Sequence, residues 1–302
     1  MSLITTSTTV RNLKLTLDKI VTDKNDGLEA ALILKEYFDR ETMDENYVDD
    51  AEVGGPGLAT EKSEAQELDV GSLNDGYISR YTARKFGLKM IVSEEALEDG
   101  RYPKYIDAAR RLKRALYKTM DIDAANVLNR ATSASYVGGD GVALASASHT
   151  LPGGGTFSNT LSTPMSPSRA ALIVISQNLM QTPGHDGVTE PLKPTKIVCP
   201  VAQWGAWEGI VGSEKVPESP NNEINVVRSK LKLEVVPVPY WTASTTNWLV
   251  KTDAENGLVW KDRRKARSRS WTDNDVEALK YAISARWARG WSNPRGVYYS
   301  NA

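Results

Sequence analysis

The 302-residue chain holds 37 basic and 38 acidic residues, a net charge of −1, with 40% hydrophobic and 25% charged positions. That length gives room for a substantial core, in one large or two intertwined domains, and excludes a disulfide-stapled miniprotein; the balanced charge singles out no nucleic-acid or membrane partner. The lone Cys199 allows neither an intrachain disulfide nor a zinc cluster, and no signal-peptide core or apolar run of about 20 residues is present, so a soluble, unprocessed chain in a reducing cytoplasm is expected.

Residues 1–24 are polar and Thr-rich and read as an arm not committed to a core. Residues 25–39, NDGLEAALILKEYFD, are rich in helix formers and predict a short helix. From Glu41 to Glu67 the pattern gives way to acidic and Gly/Pro-bearing sequence, an extended excursion. Asn74, Asp75 and Gly76 then supply turn chemistry inside ELDVGSLNDGYISRYTARKFGLKMIV, which predicts a long hairpin. In its second arm Phe86, Leu88, Met90 and Val92 alternate with Gly87, Lys89 and Ile91. Arg80, Arg84, Lys85 and Lys89 resist deep burial, so this hairpin should project and pack on a partner.

Ser93, Glu94 and Glu95 open a helical segment that restarts at Pro103. Tyr105, Ala109, Leu112, Leu116, Met120, Ala124, Val127 and Ala131 recur at steps of three and four, predicting one helix roughly 40 Å long with a narrow apolar stripe. Its other face begins basic, with Arg110, Arg111, Lys113, Arg114 and Lys118. Residues 166–181 predict a second helix, with Ser166 as cap, Pro167 in the first turn and Leu172, Ile175 and Leu179 on one face. TKIVCP reads as a strand, VAQWGAWEGIVG as a helix, and SKLKLEVVPVPYW and TNWLVKTD as strands, which suggests a compact α/β lobe over 165–255. WKDRRKARSRSW is a basic run, and Leu279 to Trp287 alternate as a strand before an aromatic tail.

The stretch DGVALASASHTLPGGGTFSN raises the question of chemistry. Ser146 or Ser148 with His149 could form a nucleophile and base, but there is no G-x-S-x-G elbow, and neighbours on an extended chain point to opposite sides. The glycines lack phosphate-loop and dinucleotide spacing. His149 and His185 are far apart and no metal motif occurs, so no cofactor or metal is expected, and Cys199 reads as a small buried hydrophobe. The run Lys261 to Arg269 could meet phosphate or simply be a solvated edge, with acidic Asp44 to Glu52 as a complement. A polar arm, a basic hairpin and a thinly apolar helix make better sense if neighbouring copies complete one another's surfaces.

Several segments, in this order and spacing, resemble a known family: YTARKFGLKMIVSEEALEDGRYPKY, DGVALASASHTLPGGGTFSNTLS, KIVCPVAQWGAWEGIVGS, NVVRSKLKLEVVPVPYW and ARWARGWSNPRGVYYS. Together they resemble the major capsid proteins of tailed bacteriophages with the Hong Kong 97 type fold, specifically the Mu-like major head subunit group. The resemblance implies an α+β fold with residues 1–50 as N-terminal arm, 51–92 as an extended E-loop, and 93–164 as P-domain with spine helix and connector. Residues 165–255 would be the A-domain, and 256–302 a return to the P-domain and a C-terminal tail.

It further implies a non-enzymatic chain that self-assembles through hexamers and pentamers into an icosahedral shell around double-stranded DNA, made in the host bacterial cytoplasm. Portal, and scaffolding or decoration proteins, would be its other partners. Arg80, Tyr81, Arg84, Lys85 and Phe86 are then expected at inter-subunit contacts, and Arg263, Arg264, Lys265, Arg267 and Arg269 against DNA or a neighbour. A phage tube or sheath protein, or a hydrolase using His149 with Ser148, are the alternatives.

Overall fold

Twenty-eight residues, Tyr102–Asn129, form one uninterrupted helix, with Pro103 in the first turn where its missing N–H costs nothing. It is the frame on which the rest of the computed structural model is laid. The structure describes residues 13, 15–20, 27–55, 57–64, 67–68, 70–71, 75–98, 102–215, 224–273 and 275–301. In chain order these give α1 (15–20), α2 (Leu34–Tyr37), β1 (Asp39–Thr42), β2 (Tyr47–Val53), β3 (Asp75–Thr82), β4 (Arg84–Ser93), α3 (Glu94–Glu98) and the long α4. There follow β5 (His149–Thr150), β6 (Thr156–Phe157), α5 (Arg169–Met180), β7 (Pro194–Pro200), α6 (Val201–Gly212), β8 (Glu234–Val238), β9 (Trp248–Thr252), β10 (Leu258–Asp273), β11 (Ala278–Trp291) and β12 (Val297–Ser300).

Two four-stranded sheets divide the chain. The first has the order β1-β10-β11-β4, with β1 parallel to β10 and the other pairs antiparallel. Its inner face packs on α4: Tyr281, Ile283, Ala285 and Trp287 share a core with Leu116, Met120 and Ala124. Trp287 is the centre of an aromatic stack, 4.2 Å from Phe86 and 5.4 Å from Trp260 between ring centroids. The second sheet runs β12-β9-β7-β8, and the parallel β7–β8 pair needs a crossover, which contains α6. Leu172, Ile175 and Leu179 of α5 and Trp207 of α6 close its core against Ile197, Cys199, Trp248 and Val250.

Four features depart from the sequence expectations. The helix expected over 25–39 shrinks to Leu34–Tyr37, because Leu32, Leu34, Tyr37 and Phe38 all enter the core, a set no single helix face can present. Asp121 on α4 holds this turn by accepting the Leu34 N–H at 3.0 Å. The expected hairpin is also redistributed: β3 pairs back with β2, and the chain breaks at Ala83 so that β4 joins β11 instead. Asn74 of its expected turn, like residues 1–12, 14 and 21–24 of the arm and 25–26 of the expected helix, lies outside the described residues. The α5 cap is Ser168, not Ser166, its Oγ accepting the Ala171 N–H. Finally the basic run is a 16-residue strand, β10, and the aromatic tail ends in β12 with every residue buried.

Candidate assembly surface

Strand alternation sends successive side chains of the first sheet to opposite faces. Leu279, Tyr281, Ile283, Ala285 and Trp287 of β11 point inward to α4 and are buried. The outward face has two ends that are treated differently. At one end the β2–β3 pair lies over Val259 and Ala288, with Met43, Tyr81 and Ala83 completing a small apolar cluster. Tyr81 is 3% exposed, its hydroxyl lies 2.8 Å from Ser292 Oγ, and the Lys261 ammonium sits 4.9 Å from its ring centre. Gly290 permits this closeness, since a Cβ there would stand 3.2 Å from the Tyr81 ring.

Lys261, on β10, is the buried charge under that cover. Its Nζ lies 2.8 Å from Glu41 on β1 and 2.8 Å from Asp50 on β2, so one ammonium ties three strands together. Burial opposes the charge, but hydrogen bonds to Asp50 and Glu41 and their negative charges outweigh it, holding its pKa above the usual lysine value. Next to it Asp262 pairs with Arg40, which also reaches Glu29 at 3.0 Å. At this end the sheet's outward charge is neutralised by the chain itself.

The other end is left uncovered by the described residues, and of its cations Lys280 is the one neutralised among them, by Asp273. Cross-strand register places Arg264, Arg286 and Lys85 in one row, Arg267, Ser284 and Gly87 in the next, and Arg269, Ala282 and Lys89 in the third. Like charges directly opposite one another in a sheet repel, so the first row destabilises the free chain. No ion pair involves Lys85, Arg264, Arg267 or Arg269 among the described residues. Burial, and then the charges of Arg267, Arg286, Arg269 and Arg263, push the Arg264 guanidinium below the ordinary arginine value. The Nε atoms of Arg263 and Arg264 are buried without hydrogen-bond partners among the described residues. A fourth row, Trp271, Lys280 and Ile91, adds exposed apolar side chains, Trp271 at 41% and Ile91 at 55%.

The residues singled out in the sequence therefore separate. Arg267 and Arg269 stand exposed on the basic face with Lys85, and Arg264 is half-buried beside them; Arg263 and Lys265 fall at the two register irregularities of β10. Arg80 is exposed but held by Asp49 through two hydrogen bonds of 2.7 Å. Tyr81 is spent inside the subunit, Phe86 stacks on Trp287, and Arg84 points to the α4 side. Arg286 and Trp271 were missed, although Lys265, Arg267, Arg269 and Trp271 alternate with Ala266, Ser268 and Ser270 in the period of a strand.

The glycine-rich connector does not assemble a nucleophile. His149 is fully buried on β5, its Nδ1 is 2.6 Å from Asp140 Oδ2, and its ring stacks on Phe157. Ser146 Oγ instead accepts the Ser148 N–H at 3.2 Å, which closes a local turn. Burial, with a smaller contribution from Glu208, pushes the Cys199 thiol up to about 12. No group of three or more His, Cys, Asp or Glu side chains positioned for a metal occurs among the described residues, and no helix there is long and apolar enough to cross a membrane.

Residues 76–300 match the model of a family described as phage capsid protein. The chain belongs to that family. It is a structural subunit, a major capsid protein whose copies form the icosahedral shell of the virion. Solved structures show the same fold. The capsid of cyanophage P-SCSP1u has a TM-score of 0.56 at 11% identity, covering 89% of this chain and 87% of that one. The procapsid of bacteriophage JBD30 gives 0.53 at 12%, covering 97% and 75%, and a virus-like particle from Pyrococcus furiosus 0.52 at 9%, covering 96% and 98%. No curated protein matches. The capsid fold is thus of the Hong Kong 97 type, with α4 as its long helix.

Proposed function

We propose that this capsid protein belongs to the Mu-like major head subunit group and builds a shell that encloses phage double-stranded DNA, assembling in the host cytoplasm with portal and scaffolding or decoration proteins. Residues 1–50 act as the arm, 51–92 as the E-loop, 93–164 and 256–302 as the P-domain and 165–255 as the A-domain. The basic end of the first sheet's outward face is a contact between copies, with Lys85, Arg264, Arg267 and Arg269 at its centre.

One observation carries this reading: the chain carries a segment complementary to that face. Residues 57–71 include Glu61, Glu64, Glu67 and Asp69 against one lysine, Lys62. Leu58, Leu68 and Val70 of that segment are 76%, 75% and 95% exposed. An acidic strip bearing apolar side chains fits a basic face edged by Trp271 and Ile91, and opposite potentials set register between copies. A phosphate backbone would satisfy the arginines but not the apolar row, which favours protein over DNA at this face. Charge reversal tests it: Arg267→Glu with Arg269→Glu should abolish shells in electron micrographs, and Glu61→Lys with Glu64→Lys in the same chain should restore them. Unchanged shells in the first variant would refute the contact.

A further inference from the structure

On the α4 side of the same sheet a second arginine cluster lines a cavity of about 280 Å³, between the start of β4, the end of α4, the 136–139 turn and the end of β11. Arg80, Arg84, Arg130 and Arg289 contribute to its wall, and no acidic residue among the described residues does. Two of the four are neutralised from outside it: Arg80 by Asp49, and Arg289 by Asp123, whose Oδ1 lies 2.6 Å from its Nη2. The other two have no carboxylate partner among the described residues. Arg130 lies 4.3 Å over the Tyr136 ring, and Arg84 is exposed.

Two buried polar atoms on the same wall also lack a hydrogen-bond partner among the described residues, Trp291 Nε1 and Ser79 Oγ, and Ser79 is only 8% exposed. They lie beneath the Gly138–Gly139 backbone: a Cβ on Gly138 would meet Trp291 Nε1 at 2.7 Å, and one on Gly139 would meet Ser79 Oγ at 3.1 Å. An indole N–H can only donate, and a buried donor left unmade costs about 1–3 kcal/mol. At ~30 Å³ per molecule the cavity has room for about nine waters, enough for a multi-atom ligand.

We infer that this pocket is an oxyanion site, in which Arg84 and Arg130 supply charge and Trp291 and Ser79 supply neutral donors to a phosphate or carboxylate group. The chemistry follows from the lining: two uncompensated guanidiniums and a donor-only indole call for an acceptor that carries negative charge. Arg289 shows the same imbalance. Burial first, and then the charges of Arg84 and Arg130, hold it below the ordinary arginine value in spite of Asp123. The group could be a free anion or an acidic side chain of a second copy, and both present the same oxygens.

Thermal unfolding of unassembled full-length subunits, titrated with inorganic phosphate against chloride at matched ionic strength, tests the site independently of shell contacts. A saturable rise in Tm is expected, with apparent affinity at least tenfold weaker in Arg84→Ala or Arg130→Ala. Trp291→Phe, which keeps the ring and removes the donor, should weaken it severalfold and guards against a folding defect in the arginine variants. A phosphate response that does not saturate, or that is equal in all variants, overturns the proposal. Cryo-EM maps of particles assembled in chloride and in phosphate separate the sources: isolated density that depends on phosphate marks a free anion, and density continuous with a neighbouring chain marks a side-chain carboxylate. A pocket holding only water in both overturns the site.

Discussion

The two ends of one sheet face show how the same kind of residue can serve the subunit or the particle. Lys261 and Arg267 lie six residues apart on β10, both cationic and both directed away from α4. Lys261 is enclosed by Glu41, Asp50 and Tyr81, so its charge binds β1, β2 and β10 into one subunit. Arg267 meets no acid among the described residues, and its neighbours Arg264 and Arg286 repel each other across the strands. Where the chain supplies counter-charges, the face belongs to the fold. Where it withholds them, the face awaits a partner, and the repulsion relieved there adds to the drive for assembly.

The comparison breaks most visibly if the sheet itself is disturbed. Trp287→Ala empties the stack between Phe86 and Trp260 and should destabilise unassembled subunits by about 3–5 kcal/mol in urea unfolding, enough to lose both ends together. Lys261→Met removes only the enclosed charge and leaves Asp50 and Glu41 facing each other. Its cost should be about 2 kcal/mol, below the ~3–5 kcal/mol of a fully buried pair because the Glu41 side chain is 43% exposed. Lys261 is also a pH marker. Its folded pKa is raised, so its contribution is complete below the unfolded lysine value of about 10.4 and fades as pH climbs through the higher folded value. Alkaline denaturation of Lys261→Met should lack that component.

At the open end the same measurement should show little. Arg267→Glu with Arg269→Glu is expected to change subunit stability by no more than about 0.5 kcal/mol while preventing assembly. A large loss of subunit stability would mean that the basic rows serve the fold after all. The smallest effect concerns Cys199, which is fully buried and whose thiol is pushed up to about 12. Mass spectrometry should find it unlabelled by a maleimide in native subunits at pH 7.5 and labelled once urea unfolds them; rapid native labelling would contradict the core around β7.

Much of this frame was legible in the sequence wherever a face is decided by one period. The α4 stripe and the alternation of β11 are local patterns; α4 ends at Asn129, two residues before the last periodic position Ala131, and β11 runs past the expected Leu279–Trp287 at both ends. Pairing was less legible. Nothing local tells β3 to return to β2, because that choice is made by Tyr81 and Ala83 packing on Val259 and Ala288 about 180 to 205 residues away. Charge hid the candidate surface in a similar way. Lys113 looks like part of a solvated helix face, yet it is buried and donates to the Ile20 carbonyl at 3.0 Å. Lys261 and Arg267 belong to one basic run in the sequence, and only the acids brought in by β1 and β2 distinguish them.

The account stands most directly on a cryo-EM map of the assembled particle in which side chains of the first sheet are resolved. It predicts that Glu61, Glu64 or Glu67 of a neighbouring copy comes within about 4 Å of Arg267 and Arg269, with Trp271 and Ile91 covered by that copy's apolar side chains. A basic face open to solvent, or lying against packaged DNA with no neighbouring chain on it, would contradict it.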